Sequence, residues 1–175
     1  MNQEPTSDPL EDARQTFVRS WGALGSSWGV SRTMAMVHAL LLVTDPPLST
    51  DDVMAELGAS RGNANMNLRE LVGWGLVRRV VVEGERREYF EAEKDVWTMF
   101  CTIARERKRR EIEPALALLE ACLATTKGLR SGKAKAFHKQ LSELAQFVGT
   151  ANAVLERISA SEQSKVIPAI LKWLK

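Results

Sequence analysis

Apolar positions recur with helical spacing along most of this chain and alternate in only one stretch. From Leu10 to about Ser26, Phe17, Trp21, Leu24 and Trp28 follow steps of four, three and four, which predicts a helix with one packed stripe after a disordered lead-in over 1–9. Ser31 is placed to cap a second helix whose inward positions are Met34, Val37, Leu41 and Leu42, and Asp45-Pro46-Pro47 stops it. Leu48 to Asp52 reads as the start of a third helix, with a hydroxyl cap and carboxylates in its first turn, ending at Gly58. Ser60 then caps a fourth helix running to Trp74, with Ala64, Leu68, Leu71 and Gly75 as its close-packed stripe.

The one alternating stretch follows. Leu76 to Val82 is β-branched and Arg-rich, Gly84 marks a turn between Glu83 and Glu85, and Arg86 to Ala92 returns, which predicts a β-hairpin. From Asp95 onward the pattern is helical again. Val96, Met99, Phe100 and Ile103 form a stripe that resumes at Ala115, Leu116, Leu119, Cys122 and Leu123, with Pro114 kinking or restarting the helix. Phe137, Leu141, Leu144, Val148, Ala151, Leu155 and Ile158 alternate steps of four and three, a coiled-coil-like seam open to this chain's own helices or to a second copy. Val166 to Leu174 reads as a short closing helix around Pro168.

Two short helices joined through Gly58-Ala59-Ser60, with a hairpin after the second, have helix-turn-helix spacing with a wing. The outward face of helix 60–74 carries Gly62, Met66, Arg69 and Gly73, flanked by Asn63, Asn65 and Glu70, with Arg61 and Asn67 nearer the core boundary. Such a face is slim and rich in donors. Asn and Arg form bidentate hydrogen bonds to adenine and guanine edges, and a narrow helix surface lets them reach into a major groove. An ordinary amphipathic helix is the plain alternative, but Gly62 and three Asn residues within six positions weaken a helix and stabilise nothing. On the hairpin, Arg86 and Arg87 at the tip are placed for phosphates or the narrow minor groove, unless the arginines are spent on Glu83, Glu85 and Glu88 across the strands.

Composition narrows the classes further. The chain has 175 residues, 45% apolar and 26% charged, enough for one sizeable core or two small ones. Its formal charge of +2 does not itself point to nucleic acid, so the argument rests on local clustering. The densest cluster, RERKRRE from Arg105 to Glu111, offers Glu106/Arg110, Arg107/Glu111 and, with Glu113, Arg109/Glu113 as i, i+4 pairs, and is read as a solvated helix face rather than a phosphate track. No apolar run approaches the roughly 20 residues of a membrane helix, and the acidic N-terminus has no signal-peptide pattern, so no membrane and a cytoplasmic location are expected. Cys101 and Cys122 are isolated and read as reduced thiols, and His38 and His138 as ordinary helix residues, giving no metal site and no cofactor. There is no P-loop, dinucleotide glycine pattern, HExxH or nucleophile elbow, so no enzyme is expected.

These stretches resemble the GbsR branch of the MarR-type winged helix-turn-helix regulators. The matching segments are WGVSR (Trp28 to Arg32), PLSTDDVMAELGASRGNANMNLRELVGWGLVRRV (Pro47 to Val80), GERREYFEAEKDVW (Gly84 to Trp97) and RERKRREIEPAL (Arg105 to Leu116), in order from about Trp21 to Leu123. The resemblance implies a mainly α fold with a small β-hairpin wing. Its expected layout is an N-terminal helix of the dimer region at 10–30, a winged helix-turn-helix domain at 31–93 and a helical dimerisation region at 94–175. It further implies a homodimeric transcriptional regulator, usually a repressor, that binds double-stranded DNA through helix 60–74 and wing 77–92. DNA contacts carry over to Arg61, Asn63, Asn65, Met66 and Arg69 on the helix and Arg86 on the wing, and the capping Ser60 and tip Arg87 join them on position alone. The chain departs from the family at Ala64-Asn65, where Val-Ser is more common.

Some members of that branch sense choline or related quaternary ammonium compounds, which an aromatic cage would hold. Trp21, Trp28 and Trp97 are the candidates to line an effector cavity, although all three also fall where core packing would want them. The competing function is a winged-helix module for protein assembly that binds no DNA. Such a module should carry apolar or acidic residues on the outer face of helix 60–74, and Met66 is the one sizeable apolar residue there.

Overall fold

The computed structural model describes residues 8–161, and the closing helix expected at Val166 to Leu174, like most of the lead-in, lies outside them. The chain divides into two compact units, Met1–Lys94 and Asp95–Lys175. The first contains α1 (Pro9–Ser27), α2 (Arg32–Val43), β1 (Leu48–Ser49), α3 (Thr50–Leu57), α4 (Arg61–Trp74), β2 (Val77–Val80) and β3 (Tyr89–Ala92). The second contains α5 (Val96–Arg107), a π-helical turn at Lys108–Ile112, α6 (Glu113–Thr126) and α7 (Gly132–Ala160).

In the first unit, α1 packs along α2 through Val18, Gly22 and Gly25, not through the expected aromatic stripe. A Cβ on Gly25 would sit 2.4 Å from Ala35 Cβ, and one on Gly22 would sit 2.4 Å from Met36 Cγ. The two glycines therefore let the helix backbones approach more closely than Trp or Leu would permit. The bulky stripe is displaced outward: Leu24 and Trp28 are exposed, and Phe17 and Trp21 are half-buried. The core proper is Met34, Val37, Leu40 and Leu41 of α2 against Val53 of α3, Ala64, Leu68 and Leu71 of α4, and Val77 and Phe90 of the sheet.

Two backbone devices hold α3 and α4 at the angle of a helix-turn-helix. Ser49 and Asp52 form a reciprocal capping box at the start of α3, which pulls the Asp52 carboxyl below its usual range through hydrogen bonds from Ser49. Gly58 ends the helix in the left-handed conformation at φ 61°, where a side chain would be strained. At the far end of α4, Gly75 takes φ 80°, and the Leu76 amide donates to the Leu71 carbonyl. Gly75 is thus an exposed C-cap rather than the last member of the buried stripe. Lys94, far along the chain, donates from Nζ to the carbonyls of Leu41, Leu42 and Thr44 at 3.0, 2.8 and 2.8 Å, closing the C-terminus of α2.

The hairpin forms part of a three-stranded antiparallel sheet ordered β1-β3-β2. β1, two residues just ahead of the α3 cap, pairs Leu48 with Phe90 and Ser49 with Tyr89, and this strand had no sequence signal separate from the helix start. The wing strands are shorter than expected, leaving an open loop over 81–88 with Gly84 at φ 83°.

In the second unit the buried positions are Cys101, Thr102, Ala104 and Glu106 on α5 and Ser159 on α7, while Val96 and Phe100 of the expected α5 stripe are exposed. The expected seam on α7 divides into two. Leu141, Val148 and Leu155 are half-buried alongside Ala134, His138, Ala145 and Asn152, whereas Phe137, Leu144, Phe147 and Val154 are exposed. The π-turn widens the helix where Pro114 supplies no amide proton. It shifts the register of the charged run: Lys108, not Arg109, pairs with Glu113 (2.9 Å), and Lys108 also pairs with Glu156. Arg109 and Arg110 converge on Glu106 and Arg107 pairs with Glu111, so this run is offset by its own carboxylates.

Candidate nucleic-acid interface

α4 begins where the Ser60 hydroxyl accepts from the Asn63 amide at 3.4 Å. Its inner side is sealed by Ala64, Asn67, Leu68 and Leu71, all essentially inaccessible. The outer side is different. Met66 is 59% exposed, Arg69 is exposed with no ion pair among the described residues, and a Cβ added to Gly62 or Gly73 would meet nothing within 4 Å. No packing among the described residues requires either glycine, although each weakens a helix by roughly 0.5–1 kcal/mol relative to Ala.

The polar residues flanking this face divide by what they already hold. Asn63 turns inward: its Nδ2 lies 3.5 Å from Thr33 Oγ1, and its Oδ1 accepts from Asn67 Nδ2 at 2.7 Å. Asn65 accepts at Oδ1 from the Thr50 hydroxyl (3.3 Å), leaving its amide nitrogen without an acceptor among the described residues. Arg61 is exposed rather than near the core boundary, and pairs with Asp51 of α3. That pair bridges the two helices across the turn.

On the wing, Arg78 pairs with Glu91 and Arg79 lies 3.7 Å from Glu88, so the strand arginines are largely matched by cross-strand carboxylates. Arg87 lies 5.8 Å from the Tyr89 ring centroid and 3.4 Å from Glu85, and charge interaction with the Tyr89 phenol and then with Glu85 raises its pKa. Arg86 is exposed and has no hydrogen bond or ion pair among the described residues. The unspent cations are therefore Arg69 on the helix and Arg86 on the wing.

Of the three candidate effector tryptophans, Trp21 of α1 and Trp28 at its C-cap meet edge to face with centroids 6.0 Å apart, and Phe17 lies 5.5 Å from Trp21. Trp97 belongs to the second unit, where its indole N–H donates to the Ser161 carbonyl (3.0 Å) and its ring lies against Phe100. Among the described residues no group of three or more His, Cys, Asp or Glu side chains is arranged to hold a metal ion, and no helix is long and apolar enough to cross a membrane.

No family model matches the chain. It is 33% identical over 98 residues to the HTH-type transcriptional regulator MmpR5 of Mycobacterium tuberculosis, covering 55% of this chain and 58% of that protein. It is 22% identical over 124 residues to the HTH-type transcriptional repressor GbsR of Bacillus subtilis, covering 71% and 68%. Against the putative HTH-type transcriptional regulator YvaV of the same organism it is 22% identical, covering 55% and 56%. The match to MmpR5 thus spans less than two thirds of that relative. A crystal structure of a transcriptional regulator aligns with a TM-score of 0.56 at 25% identity, over 83% of this chain and 99% of the other.

Proposed function

On the footing that this chain is GbsR/MarR-like in sequence and fold, we propose that it is a homodimeric transcriptional repressor that reads a pseudo-palindromic operator with α4 and the wing. The observation that carries the reading is the outer face of α4. It is bare at Gly62 and Gly73, it presents Met66 and an Arg69 without an ion pair among the described residues, and no described residue fills the space over either glycine. A surface that gives up helix stability to stay slim suits close approach by another molecule, and an Arg/Asn surface suits base edges.

In this reading Arg69 reads a guanine edge, Met66 meets a thymine methyl group, and the Asn65 amide donates to an acceptor on a neighbouring base. Ser60, Arg61 and Arg86 bind phosphates, with Arg61 trading part of its Asp51 pairing for the DNA backbone. Arg87 braces the wing and adds charge there. Asn63 contributes from behind, holding Asn67 and the start of the helix, so its removal lowers affinity by loosening the helix. An assembly module has less support, because Met66 is the one sizeable apolar group on this face.

The homodimer is supported by the second unit, which leaves a row of large apolar side chains exposed on α7. Phe137, Leu144, Phe147 and Val154 stand along one side of α7 at near-heptad spacing, and a contiguous apolar surface of this kind seeks a partner. A second copy supplies an identical stripe, and in a two-fold dimer the two copies of α4 enter successive major grooves with half-sites about 10 bp apart. A small-molecule effector, if cationic, has the Trp21–Trp28 pair as aromatic walls, with Trp97 supporting the second unit. It would relieve repression by altering the spacing of the two recognition helices.

Selection of binding sites from random duplexes, followed by footprinting and sedimentation, tests the proposal. The expected result is an inverted repeat with half-sites about 10 bp apart, bound by two chains, with Leu144→Glu/Phe147→Glu giving monomers that no longer bind it. Failure of any duplex to be enriched at low salt would overturn the DNA reading, and a wild-type monomer bound to a single half-site would overturn the dimer.

A further inference from the structure

Between Glu120 and Glu143 the chain carries Lys127, Arg130, Lys133, Lys135 and Lys139 and no carboxylate. All five are exposed. The contrast with the π-turn on the same helical unit is sharp, since Arg107, Lys108, Arg109 and Arg110 each have a carboxylate there. At the α6–α7 turn the nearest approach is Lys139 to Glu143, at 3.8 Å and on the downstream side. Crowded like charges repel one another, so a cluster offset among the described residues by that one long contact costs the fold something.

The turn also shapes these charges into a site. α6 ends at Thr126, Gly128 reverses the chain at φ 86°, and the Ser131 hydroxyl caps α7 by accepting from the Ala134 amide. The reversal leaves an open, shallow depression of about 200 Å³ lined by Thr126, Leu129, Lys127, Lys135, His138 and Lys139. Lys135 and Lys139 are one turn apart on α7, with His138 on the same side.

The histidine is oriented. The Thr126 hydroxyl lies 2.9 Å from both the Cys122 carbonyl and His138 Nδ1, a contact that holds the ring in place with either atom as donor, and Nε2 has no partner among the described residues. Nε2, donor or acceptor according to the tautomer, can pair with a phosphoryl oxygen or with the proton of a P–OH group.

We infer that the turn between α6 and α7 is a binding site for the phosphoryl group of a small ligand, held by Lys127, Lys135, Lys139 and His138. A concave site of this size suits one phosphoryl group with a small attached body, whereas a duplex backbone calls for a broad track of cations. The inference does not depend on the DNA reading.

The test is isothermal titration of the full chain with inorganic phosphate and with pyrophosphate, at an ionic strength held constant with sodium chloride. Saturable binding at one site per chain is expected, tighter for pyrophosphate. K135Q/K139Q should weaken it by about tenfold or more, and His138→Gln severalfold, with the melting temperature of K135Q/K139Q not lowered and its duplex affinity unchanged. Heats that chloride reproduces, or undiminished phosphate binding by K135Q/K139Q, would overturn the site. A parallel loss of duplex affinity in that variant would assign the patch to DNA phosphates and overturn the small-ligand assignment.

Discussion

Adding a single methyl group at Gly25 should destabilise the first unit, even though alanine is the better helix former. The new Cβ would lie 2.4 Å from Ala35 Cβ, more than 1 Å inside an ordinary carbon–carbon contact of about 3.5–4 Å. Both atoms are fixed directly to helix backbones, so the helices themselves must separate. Overpacking costs about 1–3 kcal/mol, and a 2.4 Å contact between two backbone-fixed atoms belongs at the upper end, about 2–3 kcal/mol; a return of up to about 1 kcal/mol from helix propensity leaves a net loss of at least about 1–2 kcal/mol. Two other glycines calibrate the reasoning. Gly22→Ala meets Met36 Cγ at the same 2.4 Å, but that side chain can rotate away, so its net effect should be close to zero. Gly62→Ala meets nothing within 4 Å and should stabilise by about 0.5 kcal/mol. Urea denaturation at unchanged m-value should rank the midpoints Gly62→Ala, wild type or Gly22→Ala, then Gly25→Ala. A Gly25→Ala midpoint at or above wild type would refute the close-packed α1–α2 contact.

The same Gly62→Ala protein should bind its selected duplex roughly tenfold more weakly, about 1.4 kcal/mol, despite its higher stability, as read by fluorescence anisotropy. His38 is buried with Nε2 unpartnered among the described residues, and burial pushes its pKa down to about 4 from 6.5. The unfolded chain therefore takes up this proton first, so stability is complete above about pH 6.5 and falls by about 3 kcal/mol as pH drops toward 4. His38→Leu should flatten that part of the urea-midpoint profile. Lys94→Met keeps the aliphatic stem but strips α2 of its ammonium cap, and should cost about 1–2 kcal/mol in the same assay.

The helix-turn-helix was legible because its determinants are local. Ser49, Gly58, Ser60 and Gly75 mark helix ends by their own chemistry, and the apolar steps between them identify the buried side of α4. Long-range pairing was not legible. β1 is two residues long and draws its partner from Phe90 and Tyr89, and the Lys94 cap depends on how α2 ends some 50 residues earlier. The α1 stripe misled for a physical reason. Hydrophobic spacing ranks positions by side-chain size, and this contact selects the absence of a side chain at Gly22 and Gly25. On α7 two apolar stripes lie close enough to read as one seam, so spacing alone does not separate the half-buried Leu141 from the exposed Leu144. At the interface, Arg69 and Arg86 stand out in both sequence and structure. The inward commitment of Asn63 depends on Thr33 of α2, which no local pattern reveals.

The most direct test of the central claim compares wild type with Arg69→Ala on a selected duplex and on a scrambled one, at two salt concentrations. If Arg69 reads a base, the variant loses about 1–3 kcal/mol on the selected duplex and most of its preference over the scrambled one, while the salt slope is nearly preserved. Equal loss on both duplexes with a shallower salt slope would make Arg69 a phosphate contact. No loss on either would contradict α4 as the reading helix.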